Sequence, residues 1–141
     1  MTRPGEEKFK VQCGPYAVDY IRQLRDSSTN PDGTPRSGKY KTAYDALRHT
    51  LDRVISEHAL NPKFALGARK SGSLHGVFRQ KSGRLRVFWI ASKPKMTAIV
   101  LFIGYRKAGD KKDAYEQFKH RLSHGDFDHH FKALDLEPLR P

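Results

Sequence analysis

A continuous apolar run of six residues constrains the fold of this chain more than any other feature of its sequence. The run comprises Ala98, Ile99, Val100, Leu101, Phe102 and Ile103. A strand with one solvent-facing side alternates apolar and polar residues, whereas an uninterrupted apolar run is typical of a strand that is buried on both faces. We therefore predict that Ala98–Tyr105 forms the central strand of a sheet.

Three further strand-like runs complete the expected sheet. Two of them precede the central strand, at Leu74–Gln80 and Arg84–Ala91, and a shorter one lies near the N-terminus at Phe9–Cys13. With the helices described next, these runs predict an α+β fold. Its N-terminal strand and two helices pack on a small, mostly antiparallel sheet, and a C-terminal helix follows.

Two helices are expected between the first and second strands. The residues of Tyr16–Leu24 show helical spacing of their apolar side chains. Thr42 and Asp45 match a capping box at the start of the second helix, which keeps helical periodicity as far as His58. The intervening segment, 26–41, is rich in Ser, Gly, Pro and charged residues and is predicted to be a loop insertion.

A last helix is expected after the central strand. Asp110 is the candidate N-cap, with Asp113 three residues later, and His124-Gly125 provides a stop signal. The following segment is predicted to add a short helix between Asp126 and Pro138.

The length of 141 residues fits one domain, which we place at 1–141 with 135–141 as a tail. No apolar run approaches the roughly 20 residues that span a bilayer. The segment Met1–Lys10 is charged and lacks the apolar core of a signal peptide. Cys13 is the single cysteine and is interpreted as a small packing residue. These features predict a cytoplasmic protein.

The positive charge of the chain is concentrated in one segment. The formal net charge is +12, and the segment from Lys63 to Lys112 contains thirteen basic residues and one acid, Asp110. That segment therefore carries the whole excess, while the rest of the chain is neutral on balance. Such a one-sided block indicates an anionic partner, and nucleic acid is favoured over a membrane because no long amphipathic helix carries the charge.

The two strands before the central strand are predicted to form a hairpin. A two-residue turn at Ser82-Gly83 sets the register. The expected cross-strand pairs are Lys81 with Arg84, Arg79 with Arg86, and Val77 with Phe88. One face of the hairpin is then apolar, and the other carries four opposed cations.

Cations that face each other across a ladder repel, so this arrangement suggests a binding surface for phosphate. By the alternation of side chains, His75 lies on the same face. Phe88 also lies there and is a candidate for stacking on a base of single-stranded RNA. The alternative is that the long side chains only extend over the sheet to reach water.

More basic residues follow the central strand. Arg106, at its end, is expected to approach the hairpin cations, and Lys107, Lys111 and Lys112 lie before the last helix. Tyr115 lies in the first turn of that helix, where backbone amides favour anions. The alternative for Tyr115 is packing in the core.

These residues resemble the core of the RelE/ParE toxin superfamily. The similarity is closer still to its YhaV family, and it extends from Cys13 to Leu134. The segments that carry it are Val54-Ile55-Ser56-Glu57-His58, Asn61-Pro62, Gly83-Arg84-Leu85-Arg86-Val87-Phe88, Gly104-Tyr105-Arg106, Gly109-Asp110-Lys111-Lys112-Asp113-Ala114-Tyr115 and Gly125.

The resemblance implies the toxin of a type II toxin–antitoxin system. It implies an mRNA endoribonuclease, often associated with the ribosome, and a DNA-binding antitoxin that resembles PrlF. The positions that match the catalytic residues of RelE-like enzymes are Arg79, Arg86, Arg106 and Tyr115. Val77 stands where those enzymes have a lysine, so the general base is not assigned by the resemblance. The position of the charges and the faces of the hairpin, rather than the resemblance, give the candidate RNA-binding residues His75, Lys81, Arg84, Phe88, Lys107, Lys111 and Lys112.

RNA cleavage without a metal or cofactor needs three kinds of group. A base removes the proton of the ribose 2′-hydroxyl, an acid protonates the 5′-oxygen that leaves, and donors stabilise the charge on the phosphate. Arginine stays protonated, so the three arginines are candidates for binding phosphate. Tyr115 is a candidate base, because nearby cations favour the phenolate.

Histidine is the rival acid or base, since its imidazole titrates near neutral pH. His120 and His124 are four residues apart, and His129-His130 follow. A zinc site is disfavoured, because the lone Cys13 is distant and the spacing matches no zinc motif. No metal and no cofactor are therefore expected.

Two other functions fit the same basic sheet. A non-catalytic module that binds RNA or the ribosome needs the cations but neither a base nor an acid. A ParE-like gyrase poison shares the fold without cleaving RNA. The grouping of the three arginines with Tyr115 favours the ribonuclease.

Overall fold

A four-stranded sheet forms the centre of the structure, a computed structural model that describes residues 8–27, 29–32, 34, 38–66, 76–106 and 113–138. The strands are β1 (Lys10–Cys13), β2 (Phe78–Ser82), β3 (Leu85–Ser92) and β4 (Thr97–Tyr105). Their order in the sheet is β1-β4-β3-β2, with β1 parallel to β4 and the other pairs antiparallel. The predicted α+β fold and the central position of the apolar strand are confirmed.

Helices cover both faces of this sheet. They are α1 (Pro15–Ser27), α2 (Lys39–His49), α3 (Ser56–His58), α4 (Ala114–Ser123) and α5 (Asp128–Ala133). A π-helical segment, Thr50–Ile55, joins α2 to α3 without a break, and a 3-10 turn follows at Pro62–Phe64. The predicted second helix therefore exists and ends at His58, and the short helix near the C-terminus is confirmed as α5. No helix in the described ranges has the length and apolar character needed to cross a membrane.

Two predicted helix starts are wrong. Helix α2 begins at Lys39 after Gly38, so Thr42 lies inside the helix, where its hydroxyl donates a hydrogen bond to the Gly38 carbonyl. Helix α4 begins at Ala114, and Asp113 is its N-cap. The predicted N-cap, Asp110, lies outside the described residues. The start of α2 has Gly38 as N-cap and no side-chain hydrogen bond caps it, so the polar pattern at Thr42 is no guide to this start. At α4 two aspartates are able to cap, and Asp113 is the one that accepts from the helix amide.

The two faces of the sheet carry separate hydrophobic cores. Helices α1 to α3 pack on one face around Trp89, whose indole nitrogen donates to the Ala59 carbonyl at 2.9 Å. Helices α4 and α5 pack on the other face, where the rings of Phe88 and Phe118 are stacked 4.3 Å apart. Each buried side chain of this size contributes about 1.5–3 kcal/mol to stability. The strong burial fixes α4 against the sheet.

A β-bulge in β4 decides which residues face α4. Phe88 pairs with Phe102 but Trp89 pairs with Val100, so Leu101 is an extra residue in the ladder. Leu101 and Phe102 consequently both pack in the core beneath α4. The extra residue shifts the alternation of side chains by one position, so the residues of β4 after Leu101 point to the opposite faces from those that an unbroken alternation would give. This reversal places Gly104 and Arg106 on the same side as α4.

Candidate active site

The hairpin of β2 and β3 has a different register from the one predicted. The turn residues are Gly83 and Arg84, so that Lys81 faces Arg86 and Arg79 faces Phe88. Gly83 has a φ of +59°, which suits the first central position of a two-residue hairpin turn. A turn at Ser82-Gly83 would have put Ser82 in that position. The backbone requirement for glycine therefore moves the turn by one residue.

The new register keeps the predicted faces but changes the pairs. Arg79, Lys81 and Arg86 still share one face, the face on which α4 packs. Arg84 leaves the ladder and is exposed in the turn. The prediction of four cations in two opposed pairs is therefore wrong, and one like-charged pair remains, Lys81 opposite Arg86. The apolar face, which includes Val87 and Trp89, packs on the helices as expected.

Tyr115 lies at the junction of this cationic face with α4. Its side chain is buried, with 9% of its surface exposed, and its ring meets Phe88 edge-on with 5.4 Å between the ring centroids. Its hydroxyl accepts a hydrogen bond from a terminal nitrogen of Arg79. The core-packing interpretation is therefore confirmed for the ring, while the hydroxyl contacts Arg79 and its functional role stays a prediction.

Arg106 lies over the same phenol ring. The central carbon of its guanidinium is 4.7 Å from the ring centroid of Tyr115, a favourable distance for a cation–π contact. A terminal nitrogen of the guanidinium lies 2.7 Å from the carboxylate of Asp113. The side chain is 40% exposed, so Arg106 also presents positive charge to solvent.

Asp113 is a site residue that the sequence argument placed only within a helix start. The residue is 1% exposed, and its Oδ2 accepts hydrogen bonds from the Tyr115 amide at 3.0 Å and from Arg106 at 2.7 Å. The sequence contains a signal for this role, since an aspartate at the start of a helix and two residues before a catalytic candidate is a suitable partner for a basic residue. From the sequence alone, Asp113 is interpreted only as the acidic residue three positions after a candidate N-cap at Asp110.

Arg86 is held by the hairpin turn. One terminal nitrogen donates to the carbonyl oxygens of Gly83 at 2.8 Å and Leu85 at 2.9 Å. The Nε atoms of Arg79 and Arg86 are buried and have no hydrogen-bond partner among the described residues. Each such donor costs about 1–3 kcal/mol, so the positions of both arginines carry a cost in folding.

Gly104 lies beside this group and was not identified from the sequence as a site residue. It pairs with Arg86 across the ladder. A Cβ atom added to it would lie 3.1 Å from the Cβ and 3.3 Å from the Cα of Ala114. The glycine therefore allows the first turn of α4, and with it Tyr115, to approach the central strand closely.

Phe88 does not have the predicted role. It is fully buried against Phe118 and Tyr115, so it is not available to stack on a base. Its position after Arg86 on the cationic face was predicted correctly, but α4 covers that part of the face. Among the large apolar side chains of the described ranges, Tyr105 is the exposed one, at 40%. It pairs with Leu85, which belongs to the core under α1 to α3, and it lines a groove of about 480 Å³ that residues of both α1 and α4 also line.

Four predicted RNA-binding residues, His75, Lys107, Lys111 and Lys112, lie outside the described residues. Lys81 and Arg84 are exposed at the end of the hairpin, as a role in binding requires.

Four of the seven histidines pack in two pairs near the C-terminus. The rings of His120 and His124 are 4.2 Å apart, and those of His129 and His130 are 3.8 Å apart. Burial, and to a lesser degree the neighbouring His129, lowers the pKa of His130. No group of three or more possible metal ligands occurs within the part of the chain that the structure describes.

Cys13 packs against the core beneath α1 to α3. Burial raises the pKa of its thiol, which disfavours the nucleophilic thiolate. Its interpretation as a packing residue is therefore supported.

Comparison with solved structures finds similarity to a chain in the crystal structure of the toxin–antitoxin complex RelBE2 from Mycobacterium tuberculosis. The TM-score is 0.48 and the sequence identity is 15%, and the alignment covers 71% of this chain and 93% of that chain. No family model matches the sequence. No curated protein matches it either.

Proposed function

We propose that this chain is the toxin of a type II toxin–antitoxin system and cleaves mRNA in the cytoplasm without a metal ion. One observation carries the proposal. Three elements, β2, β4 and α4, bring Arg79 and Arg106 into contact with the phenol of Tyr115, with Arg86 on the same face of the sheet. Cations gathered around a phenol hydroxyl supply both phosphate binding and proton transfer.

The arginines stabilise the phosphate. In the reaction the ribose 2′-oxygen attacks phosphorus while its proton passes to the base, and the bond to the 5′-oxygen breaks. The 5′-oxygen takes a proton from water, so the products end in a 2′,3′-cyclic phosphate and a 5′-hydroxyl. Negative charge grows on the non-bridging oxygens during this step. Arginine donates two parallel hydrogen bonds to such oxygens, and one well-placed donor contributes about 2.7–4 kcal/mol to catalysis.

Tyr115 transfers the proton. Its oxygen accepts a hydrogen bond from Arg79, and Arg106 lies over its ring, so two cations contact the residue that takes up the proton. We assign Tyr115 as the base that removes the 2′-hydroxyl proton. In the free protein Arg79 donates a hydrogen bond to this oxygen. In the proposed complex Arg79 donates to the phosphate instead, and the phenol oxygen becomes accessible to the ribose.

The exposed cations guide the RNA to this site. Lys81 and Arg84 lie at the tip of the hairpin, next to Arg86, and can contact phosphates that flank the scissile one. We propose the same phosphate-binding role for four further residues, Lys107, Lys111, Lys112 and His75. The ribosome is a suitable place of action, since it presents single-stranded mRNA.

An antitoxin completes the system. We propose a PrlF-like, DNA-binding antitoxin that places acidic or apolar groups over Lys81, Arg84 and Arg86 and so blocks access of RNA. A complex in which this face remains open would contradict inhibition by steric masking.

The direct test is incubation of the purified protein with mRNA, with and without ribosomes and with and without EDTA. We expect cleavage that EDTA does not affect, and products that end in a 2′,3′-cyclic phosphate. Arg86→Ala is expected to abolish both cleavage and growth inhibition, while Arg53→Ala, which removes an exposed arginine from the π-helical segment, serves as the matched control.

Each alternative gives a different result in this test. Intact RNA in every condition contradicts the nuclease, and loss of cleavage in EDTA contradicts the metal-free mechanism. RNA that is bound but not cut indicates a non-catalytic module. Inhibition of DNA supercoiling by gyrase, without RNA cleavage, indicates a gyrase poison.

A further inference from the structure

Asp113 joins three features of the candidate site through one oxygen atom. Its Oδ2 accepts the hydrogen bond of the Tyr115 amide at 3.0 Å and that of Arg106 at 2.7 Å, and Arg106 in turn lies 4.7 Å from the Tyr115 ring centroid. We infer that Asp113 is a positioning residue, which holds the Arg106 guanidinium over Tyr115 in the orientation that receives the scissile phosphate. This inference rests on the proposed ribonuclease function.

Helix capping alone does not explain the carboxylate. An N-cap requires only a neutral side-chain oxygen, which Ser, Thr or Asn supplies as well as Asp does. A carboxylate that is 1% exposed is costly unless a cation and hydrogen bonds compensate it. Arg106 provides that cation, and the positive end of the α4 dipole adds to it, so the pair with Arg106 gives the carboxylate a role that a neutral cap would not have.

The arrangement also restricts Arg106. Arginine has several rotatable bonds, and an arginine that is 40% exposed would otherwise sample many rotamers. The Asp113 carboxylate fixes one end of the guanidinium while leaving the exposed part directed to solvent. The same carboxylate also caps α4 through the Tyr115 amide, so the positions of Arg106 and Tyr115 both depend on Asp113.

The functional consequence concerns the transition state more than RNA binding. A preorganised donor stabilises charge that develops during the reaction, and its effect therefore lies mainly in kcat. Affinity for RNA depends on the total number of cations near the phosphates. Loss of Asp113 should consequently lower kcat and leave KM nearly unchanged.

The test variant is Asp113→Asn. The asparagine retains an oxygen that can cap α4 but lacks the negative charge that holds Arg106. We expect kcat to fall by about tenfold or more, KM to change less than about twofold, and the melting temperature to stay close to that of the wild type.

The matched control is Asn61→Ala, which removes the N-cap of the 3-10 turn at Pro62–Phe64, where the Asn61 side chain accepts from the Lys63 amide at 3.1 Å. This variant loses a cap at an exposed place outside the candidate site, so it should lower the melting temperature without lowering kcat. If the fall in kcat of Asp113→Asn is accompanied by a fall in melting temperature large enough to account for it, the role of Asp113 is purely structural and the inference is overturned.

A second readout separates this inference from the proposed function. The guanidinium nitrogens of Arg106 should give distinct, slowly exchanging ¹⁵N signals in the wild-type protein and averaged signals in Asp113→Asn. If the wild type does not cleave RNA, the proposed function fails, but the Arg106 signals still report whether Asp113 holds the guanidinium. Identical Arg106 signals in the two proteins would overturn the positioning role, whatever the activity.

Discussion

The guanidinium of Arg106 lies 2.7 Å from the carboxylate of Asp113, and this contact joins the end of β4 to the start of α4. The two residues lie on either side of the segment 107–112. Because Asp113 also caps α4, the contact links the position of Tyr115 to the edge of the sheet. The candidate site is therefore formed where a central strand and a packed helix meet.

Replacement of Tyr115 by phenylalanine tests the proposed proton transfer. The ring contacts with Phe88 and Arg106 persist, while the hydroxyl that accepts from Arg79 is lost. We expect cleavage to fall by about 10²–10⁴-fold, and stability to fall by only about 1–2 kcal/mol. The measurements are single-turnover cleavage of an oligoribonucleotide and urea denaturation. A rate within threefold of the wild type would contradict the role of the hydroxyl.

Much of the fold could be predicted because its signals are local. The uninterrupted apolar run of Ala98–Ile103 is confirmed as the centre of the sheet. Apolar spacing identified α1, α2 and α4, since burial on one side imposes the helical period. The helix starts could not be predicted in this way, because α2 begins after Gly38 without a side-chain cap, and because Asp110 and Asp113 are both able to cap α4.

The details of the site depended on long-range geometry. The hairpin turn lies one residue later than predicted, at Gly83 and Arg84. Arg84 is therefore outside the ladder, and Lys81 pairs with Arg86. The alternation of side chains correctly placed Phe88 on the cationic face, but it did not reveal that α4 covers this ring. The bulge at Leu101 reverses the face of Arg106, and no residue near it signals a bulge in the sequence.

Gly104→Ala tests the close approach of α4 to β4. The new methyl group would lie 3.1 Å from the Ala114 Cβ, so α4 has to move by a few tenths of an ångström. We expect a loss of about 1–3 kcal/mol in stability, together with lower cleavage because Tyr115 follows Ala114 directly. Adding Ala114→Gly relieves part of the contact. Stability and cleavage rate are measured for Gly104→Ala, for Ala114→Gly and for the double variant. The double variant should lose less stability than the sum of the two single losses. Additive effects would contradict direct contact.

The pH dependence of stability should include a contribution from His130. Burial lowers the pKa of its imidazole in the folded protein, whereas the unfolded chain has the ordinary value near 6.5. The unfolded state therefore binds a proton more readily as the solution is acidified. The stabilising contribution is complete above about pH 6.5 and is lost as pH falls through the lowered value. His130→Gln should make the melting temperature less sensitive to pH between about 7 and 5, and an unchanged pH profile would contradict this assignment.

Salt dependence of RNA binding tests whether the hairpin cations contact phosphates. A single-stranded oligoribonucleotide with 2′-O-methyl groups resists attack by its own 2′-oxygen and allows binding to be measured alone. If Arg79, Lys81, Arg84, Arg86 and Arg106 each neutralise one phosphate, a plot of log K against log salt should have a slope of about −3.5, since each contact contributes about −0.7. Lys81→Gln should make the slope less negative by about 0.7. Lys8→Gln is the control, because Lys8 is exposed and lies near Glu57 of α3 rather than on the hairpin. Equal slopes for wild type and Lys81→Gln would place the RNA away from this face.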